Sequence, residues 1–101
     1  MHLLKKWRWR FGFHRAVRAQ VRTGRPPEVR QVFATLRAME FSSWRAYRML
    51  AAAYEAEVAA MLIDDRLYDH EAYLQVLEAL PVLPQRTLDQ VSATGRPGER
   101  S

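Results

Sequence analysis

Apolar residues in this chain recur at intervals of three, four and seven, the spacing that lines one side of an α-helix. Only the first segment, about residues 3–23, carries a competing pattern. Trp7, Trp9, Phe11 and Phe13 alternate with Arg8, Arg10 and Gly12, as along a strand, while Leu3, Trp7, Phe11, His14 and Val21 fall on one helical stripe. From His14 onward the helical period prevails, with Ala16, Val17, Ala19 and Val21 set among Arg and Gln. A lone strand would find no partner elsewhere in the chain, so the segment is read as helix. Any irregularity is expected before Gly12, because an interior glycine costs ~1 kcal/mol relative to alanine.

The remaining elements are delimited by turn and cap signals. Thr23-Gly24-Arg25-Pro26-Pro27 is a break, with Gly24 suited to the position after a helix end and the prolines to a helix start. A second helix is expected from Pro27 to about Met39, with Val29, Val32, Phe33 and Leu36 on one face. A third opens at Ser42-Ser43, either of which can cap it, and runs to about Ile63. Its stripe is Tyr47, Leu50, Ala51, Tyr54, Val58, Met61 and Leu62. Asp64-Asp65 mark its end poorly, since acids oppose the negative C-terminal dipole. A fourth opens at Asp69 as cap, carries Tyr73, Val76, Leu77 and Leu80, and is stopped by Pro81 and Pro84. A short turn is expected around residues 86–91, and residues 92–101 read as a disordered tail. The pattern predicts an all-α fold, a small bundle of about four helices. One domain spans residues 1–91, its basic, aromatic N-terminal segment covering residues 1–24.

Composition adds limits. With 101 residues, 49% of them hydrophobic, the chain suffices for one core. There is no cysteine, so disulfide and thiolate chemistry are excluded and a reducing cytoplasm suits it. No apolar run approaches the ~20 residues of a spanning helix, and no apolar stretch of signal-peptide length follows Lys5-Lys6. The abundance of Arg and Ala points to a GC-rich bacterial genome rather than to an organelle transit peptide.

Charge changes the picture most. Residues 1–48 hold twelve Lys and Arg against only Glu28 and Glu40, a net +10, whereas residues 49–101 hold four against nine acids, a net −5. An anionic surface is therefore expected to meet the N-terminal half. Arg10, His14, Arg18 and Arg22 stand four residues apart, so on a helix they share a face and can converge on a phosphate or a carboxylate cluster. The blander reading of this stripe is a solvated face. Trp7, Arg8, Trp9, Arg10 and Phe13 interleave rings with guanidinium groups, a composition that suits a protein interface anchor, single-stranded nucleic acid or a membrane surface. Since Trp9 and Phe13 point away from Trp7 and Phe11 on a helix, one pair needs a partner outside the core. Catalytic chemistry is thinly provided. The chain has no Gly-rich phosphate loop and no nucleophile elbow, and Ser42-Ser43 read as caps. Glu55 and Glu57, two apart, do not share a helical face, and the three histidines never fall at metal-ligand spacing, so neither metal nor cofactor is expected.

Phe11-Gly12-Phe13-His14, Arg18-x-Gln20 and Thr23 through Arg30 together resemble part of a bacterial family of unassigned function, domain of unknown function 1841. That family's pattern is His-x-Gly-x-His-x-x-x-Arg-x-Gln, then Arg-Pro-x-x-Ile-Arg, a helix with a His-Glu segment, and Tyr-Leu-x-x-Leu. The match falls on Gly12, His14, Arg18, Gln20, Arg25, Pro26 and Arg30, with Tyr73-Leu74, Leu77 and Leu80-Pro81 resembling the close, over about residues 9–81. Arg10 stands where the family has its first His, and Arg45, Tyr47 and Arg48 stand where it has His and Glu. The resemblance implies an all-helical fold and no particular activity.

These readings favour a non-catalytic helical interaction module, or a small accessory subunit, that binds an acidic partner surface through Trp7, Arg8, Trp9, Arg10, Phe13, His14, Arg18 and Arg22. The alternative is a nucleic-acid-binding protein using the same segment. A membrane surface is disfavoured, and the opposed charges of the two halves also permit self-association.

Overall fold

Helix ends, more than helix interiors, explain how the four elements are laid out. In a computed structural model we describe residues 2–89, with side chains from Gly12 onward. The tail expected at residues 92–101, and the side chains of Trp7, Arg8, Trp9 and Arg10, lie outside the described residues. The order is α1 (His2–Thr23), α2 (Pro27–Ala38), α3 (Ser43–Ile63) and α4 (His70–Ala79), and no strand occurs among the described residues. The all-α expectation holds, and α1 continues through Gly12 without interruption.

The first three helices end in the same way. Gly24, Glu40 and Asp65 adopt positive φ (70°, 72° and 51°) just past the helix ends. In each case the next amide donates back five residues: Arg25 to the Gln20 carbonyl, Phe41 to Leu36 and Arg66 to Met61. This left-handed closure satisfies carbonyls the helix itself leaves free. Glycine is the residue suited to it. Glu40 and Asp65 adopt it without that freedom, held by side chains that bind the loops beyond. Arg37 Nη1 donates to the Phe41 carbonyl at 2.6 Å, and Arg66 is held by Glu57. At the N-termini, Ser42 Oγ accepts from the Arg45 amide at 3.1 Å, so Ser42 rather than Ser43 caps α3. Asp69 Oδ1 accepts from the Ala72 amide at 3.2 Å and caps α4.

The turn between α1 and α2 is locked from below. Arg30 Nε donates to the Val21 carbonyl at 2.9 Å and its Nη2 to the Arg22 carbonyl at 2.8 Å, so one guanidinium covers the open end of α1. A Cβ on Gly24 would meet Arg30 Cζ at 3.0 Å. Gln20 accepts the Gly24 and Arg25 amides through its carbonyl and the Tyr73 hydroxyl through its side chain. Gln20 and Arg30, both in the segment that resembles the bacterial family, therefore act here as fasteners of the fold.

α3 lies at the centre, touching α1, α2 and α4. The core is Val17, Val29, Leu36, Ala46, Met49, Leu50, Ala53, Tyr73, Leu77 and Leu80. One sequence expectation is corrected. The periodicity places Leu62 on the buried stripe of α3, but Leu62 is 59% exposed, and Tyr54, Val58 and Met61 are only half-buried. Of the expected stripe Leu50 is fully buried, and the other buried positions are Ala46, Ala53, Ala56, Ala59 and Ala60 with Met49 and Glu57. A helix packed on three neighbours buries the positions where they approach, and alanine there lets backbones come close, whereas hydropathy alone favours the larger residues. Beyond α4, Leu88 and Asp89 begin a further turn, and the Leu88 amide donates to Glu55 Oε2 at 2.9 Å, which ties this segment back to α3. No helix among the described residues is long and apolar enough to cross a membrane.

Candidate partner-binding surface

Glu57, weighed above as a metal ligand, is 3% exposed and fully used inside the molecule. Arg66 grips both its oxygens at 2.8 Å, and the Asp69 amide donates to Oε2 at 2.9 Å. The Arg66 hydrogen bonds hold the Glu57 carboxyl below its ordinary range, against a smaller opposing effect of burial. The pair fixes the loop between α3 and α4. Glu55 is used in the same structural way through Leu88, so neither acid is available to a metal. Asp64 pairs with Arg86 at 2.9 Å.

The basic half is arranged differently. Among the described residues none of the arginines at 15, 18, 22, 25, 30, 37, 45 and 48 forms a salt bridge, and all eight are exposed. Glu28, one of the two acids of that half, faces His70 instead, at 3.8 Å. Arg30 and Arg37 bind carbonyls, and two others lie over rings: Arg18 Cζ is 5.6 Å from the centre of Tyr47, and Arg45 Cζ is 5.3 Å from that of Phe41. Arg15, Arg22, Arg25 and Arg48 have no side-chain partner within the described residues. Among the described residues, the arginines of the first half are thus not neutralised by carboxylates.

The sequence-proposed residues divide between this surface and the packing beneath it. Phe13 is half-buried and meets Tyr54 edge-on at 5.5 Å, so its ring serves the joint between α1 and α3. His14 lies 4.6 Å from the Trp44 ring and 5.8 Å from Tyr47, and Tyr47 stacks on Phe33 at 4.6 Å. Burial, and then the nearby Arg18 and Arg48, push the His14 imidazole below its ordinary range. It is therefore neutral at pH 7 and adds no charge to the stripe with Arg10, Arg18 and Arg22. Its Nε2 is buried without a hydrogen-bond partner. Arg18 and Arg22 are exposed as that stripe requires.

Trp44, Tyr47 and Arg48 went unnoticed in the sequence as companions of His14 and Arg18. Trp44 and Arg48 are four apart on α3, as His14 and Arg18 are on α1, so each pair shares a face. The packing of α1 on α3 sets His14 against Trp44 and Arg18 over Tyr47, leaving Trp44 61% exposed on the same face of α3 as the unpartnered Arg48. An exposed Trp beside Arg is the composition of an interface anchor. No family model matches the chain, and no curated protein or solved structure matches it either.

Proposed function

We propose that this chain is a non-catalytic helical interaction module, or a small accessory subunit of an assembly, that binds an acidic surface through its basic N-terminal half. The observation that carries the reading is the set of eight exposed arginines without a carboxylate partner among the described residues. Guanidinium groups left without counterions favour an external carboxylate or phosphate, which they bind as forks. The working surface is the N-terminal segment with Arg15, Arg18 and Arg22 of α1 and Trp44 and Arg48 of α3. Among the described residues of this surface, His14 packs against Trp44 and Tyr47 with no carboxylate beside it, which suits a binding rather than a catalytic role. A bacterial cytoplasmic setting, with kinship to the family of unassigned function, fits the composition and the residue pattern of α1 and its turn.

A second reading, single-stranded nucleic acid, is favoured by Trp44 alone, whose exposed ring offers a stacking surface flanked by arginines. Fluorescence anisotropy separates the two. The purified protein is titrated with a labelled oligoglutamate peptide, a single-stranded RNA and a duplex DNA, from low to moderate salt. Binding of the acidic peptide, lost in Arg18→Ala/Arg48→Ala, is the expected result. Preference for RNA, with a slope of about 0.7 in log K against log salt for each phosphate neutralised, would transfer the assignment to nucleic acid.

A further inference from the structure

The acids of the second half are unevenly used. Glu57 and Asp64 form ion pairs, Glu55 binds a backbone amide and Asp69 caps α4. Asp65, Glu71 and Glu78 are exposed and make no hydrogen bond or ion pair among the described residues. Glu71 and Glu78 are seven apart on α4, with exposed Gln75 between them, so they form one polar stripe along that helix. On α1, Arg15 and Arg22 are also seven apart, with exposed Arg18 between them. At about 1.5 Å of rise per residue, both pairs of charges stand about 10 Å apart along their helices. The two stripes thus match in spacing and oppose in sign. Each also has exposed apolar neighbours. Leu67, 87% exposed, and Tyr68 precede α4, Val82, 72% exposed, and Leu83 follow it, and exposed Trp44 packs on His14, one turn before Arg18 on α1.

We infer that the acidic surface met by the α1 stripe is α4 of a second copy of this chain, with Arg15 and Arg22 facing Glu71 and Glu78. This rests on the proposed binding of an acidic surface and identifies the partner that supplies it. Within one molecule Arg15, Arg22, Glu71 and Glu78 are exposed and form no ion pair among the described residues, which leaves their charges open to another copy. Reciprocal pairing closes a dimer around a two-fold axis, and unreciprocated pairing extends into a chain. Both use the same two faces. The charged contact is rim-like and screened, so association weakens as ionic strength rises.

Sedimentation velocity over a concentration series, at low and high salt, tests this with three variants of the full chain. Wild type is expected to self-associate at low salt, and roughly tenfold or more weakly at high salt. Arg15→Glu/Arg22→Glu and Glu71→Arg/Glu78→Arg, each alone, are expected to be monomeric because like charges then face each other. Mixing these two restores complementary charge at every contact and restores association, as does the chain carrying all four substitutions. A folding defect would not be rescued by mixing. Association that survives either reversal, that ignores salt or that fails to return in the mixture overturns the inference. A wild type that stays monomeric at low salt yet binds the oligoglutamate peptide also overturns it, leaving the broader reading in place. A monomer that binds no acidic probe removes both.

Discussion

Glu57 and His14 are ionisable groups whose environments work in opposite ways. Glu57 is held ionised by Arg66, so its folded-state pKa lies below the unfolded one. Its contribution is present above the ordinary carboxylate range and is lost as pH falls through that range and below it. Glu57→Gln keeps the shape but leaves Arg66 with a weaker acceptor, and we expect a loss of about 2–3 kcal/mol in urea denaturation. An unchanged unfolding midpoint would mean that the ion pair does not hold the loop. For His14 the folded-state pKa is also lowered, but here it is the cationic form that is disfavoured. The unfolded chain takes up the proton first, near pH 6.5, so stability is full above that value and declines as pH falls below it. Melting curves at neutral and mildly acid pH should show that decline in the wild type and a shallower one in His14→Phe, with an equal slope counting against a buried neutral imidazole.

At the scale of elements, the α1–α2 turn depends on one glycine and one arginine. Gly24→Ala places a Cβ where φ is +70° and Arg30 lies at 3.0 Å, and should cost about 1–2 kcal/mol from the backbone conformation alone. Arg30→Ala should leave the α1 carbonyls to water. Hydrogen exchange would then rise at the amides of residues 24 and 25, which close the same helix end, while those of α3 stay protected. Tyr73 ties α4 to α1 by donating its hydroxyl to Gln20 Oε1 at 3.1 Å, and burial pushes that hydroxyl well above its ordinary range, so it stays a donor at all working pH. Tyr73→Phe keeps the ring packing and removes this one bond. A loss of about 1 kcal/mol in thermal unfolding is expected, and no loss would show the Gln20 amide repartnering with water.

For the whole molecule, the decisive quantity is the charge of the α1–α3 side, whose described arginines have no carboxylate partner. Arginines near one another and without acids repel, so an added anion should stabilise the protein as it binds. Differential scanning fluorimetry with increasing oligoglutamate should raise Tm in wild type, and raise it less in Arg15→Ala/Arg18→Ala/Arg22→Ala. Trp44→Ala should weaken the same binding by roughly fivefold or more if the ring is an anchor, since anchor truncations commonly cost more than 1 kcal/mol. An identical titration curve would assign Trp44 only to covering His14.

The features legible in the chain alone are local. Ser42, Gly24, Pro27, Asp69 and Pro81 delimit the helices through capping bonds and backbone restrictions that act within about one turn. The charge split is equally legible because it needs only counting. Tertiary structure alone decided the rest. It buried the alanines and Glu57 of α3 rather than Leu62, since three neighbouring helices, not one, set which positions are covered. It allowed Glu40 and Asp65 to take left-handed backbones, because Arg37 and Arg66 anchor the loops that leave those helix ends. It set Trp44 and Arg48 beside His14 and Arg18, about 30 residues away in the chain. It also tied Glu55, Glu57, Asp64 and Asp69 to loops and a helix end of the second half, and left the described arginines of the first half exposed without a carboxylate partner. Pairings of this kind depend on where helices cross, and no spacing within a helix carries that information.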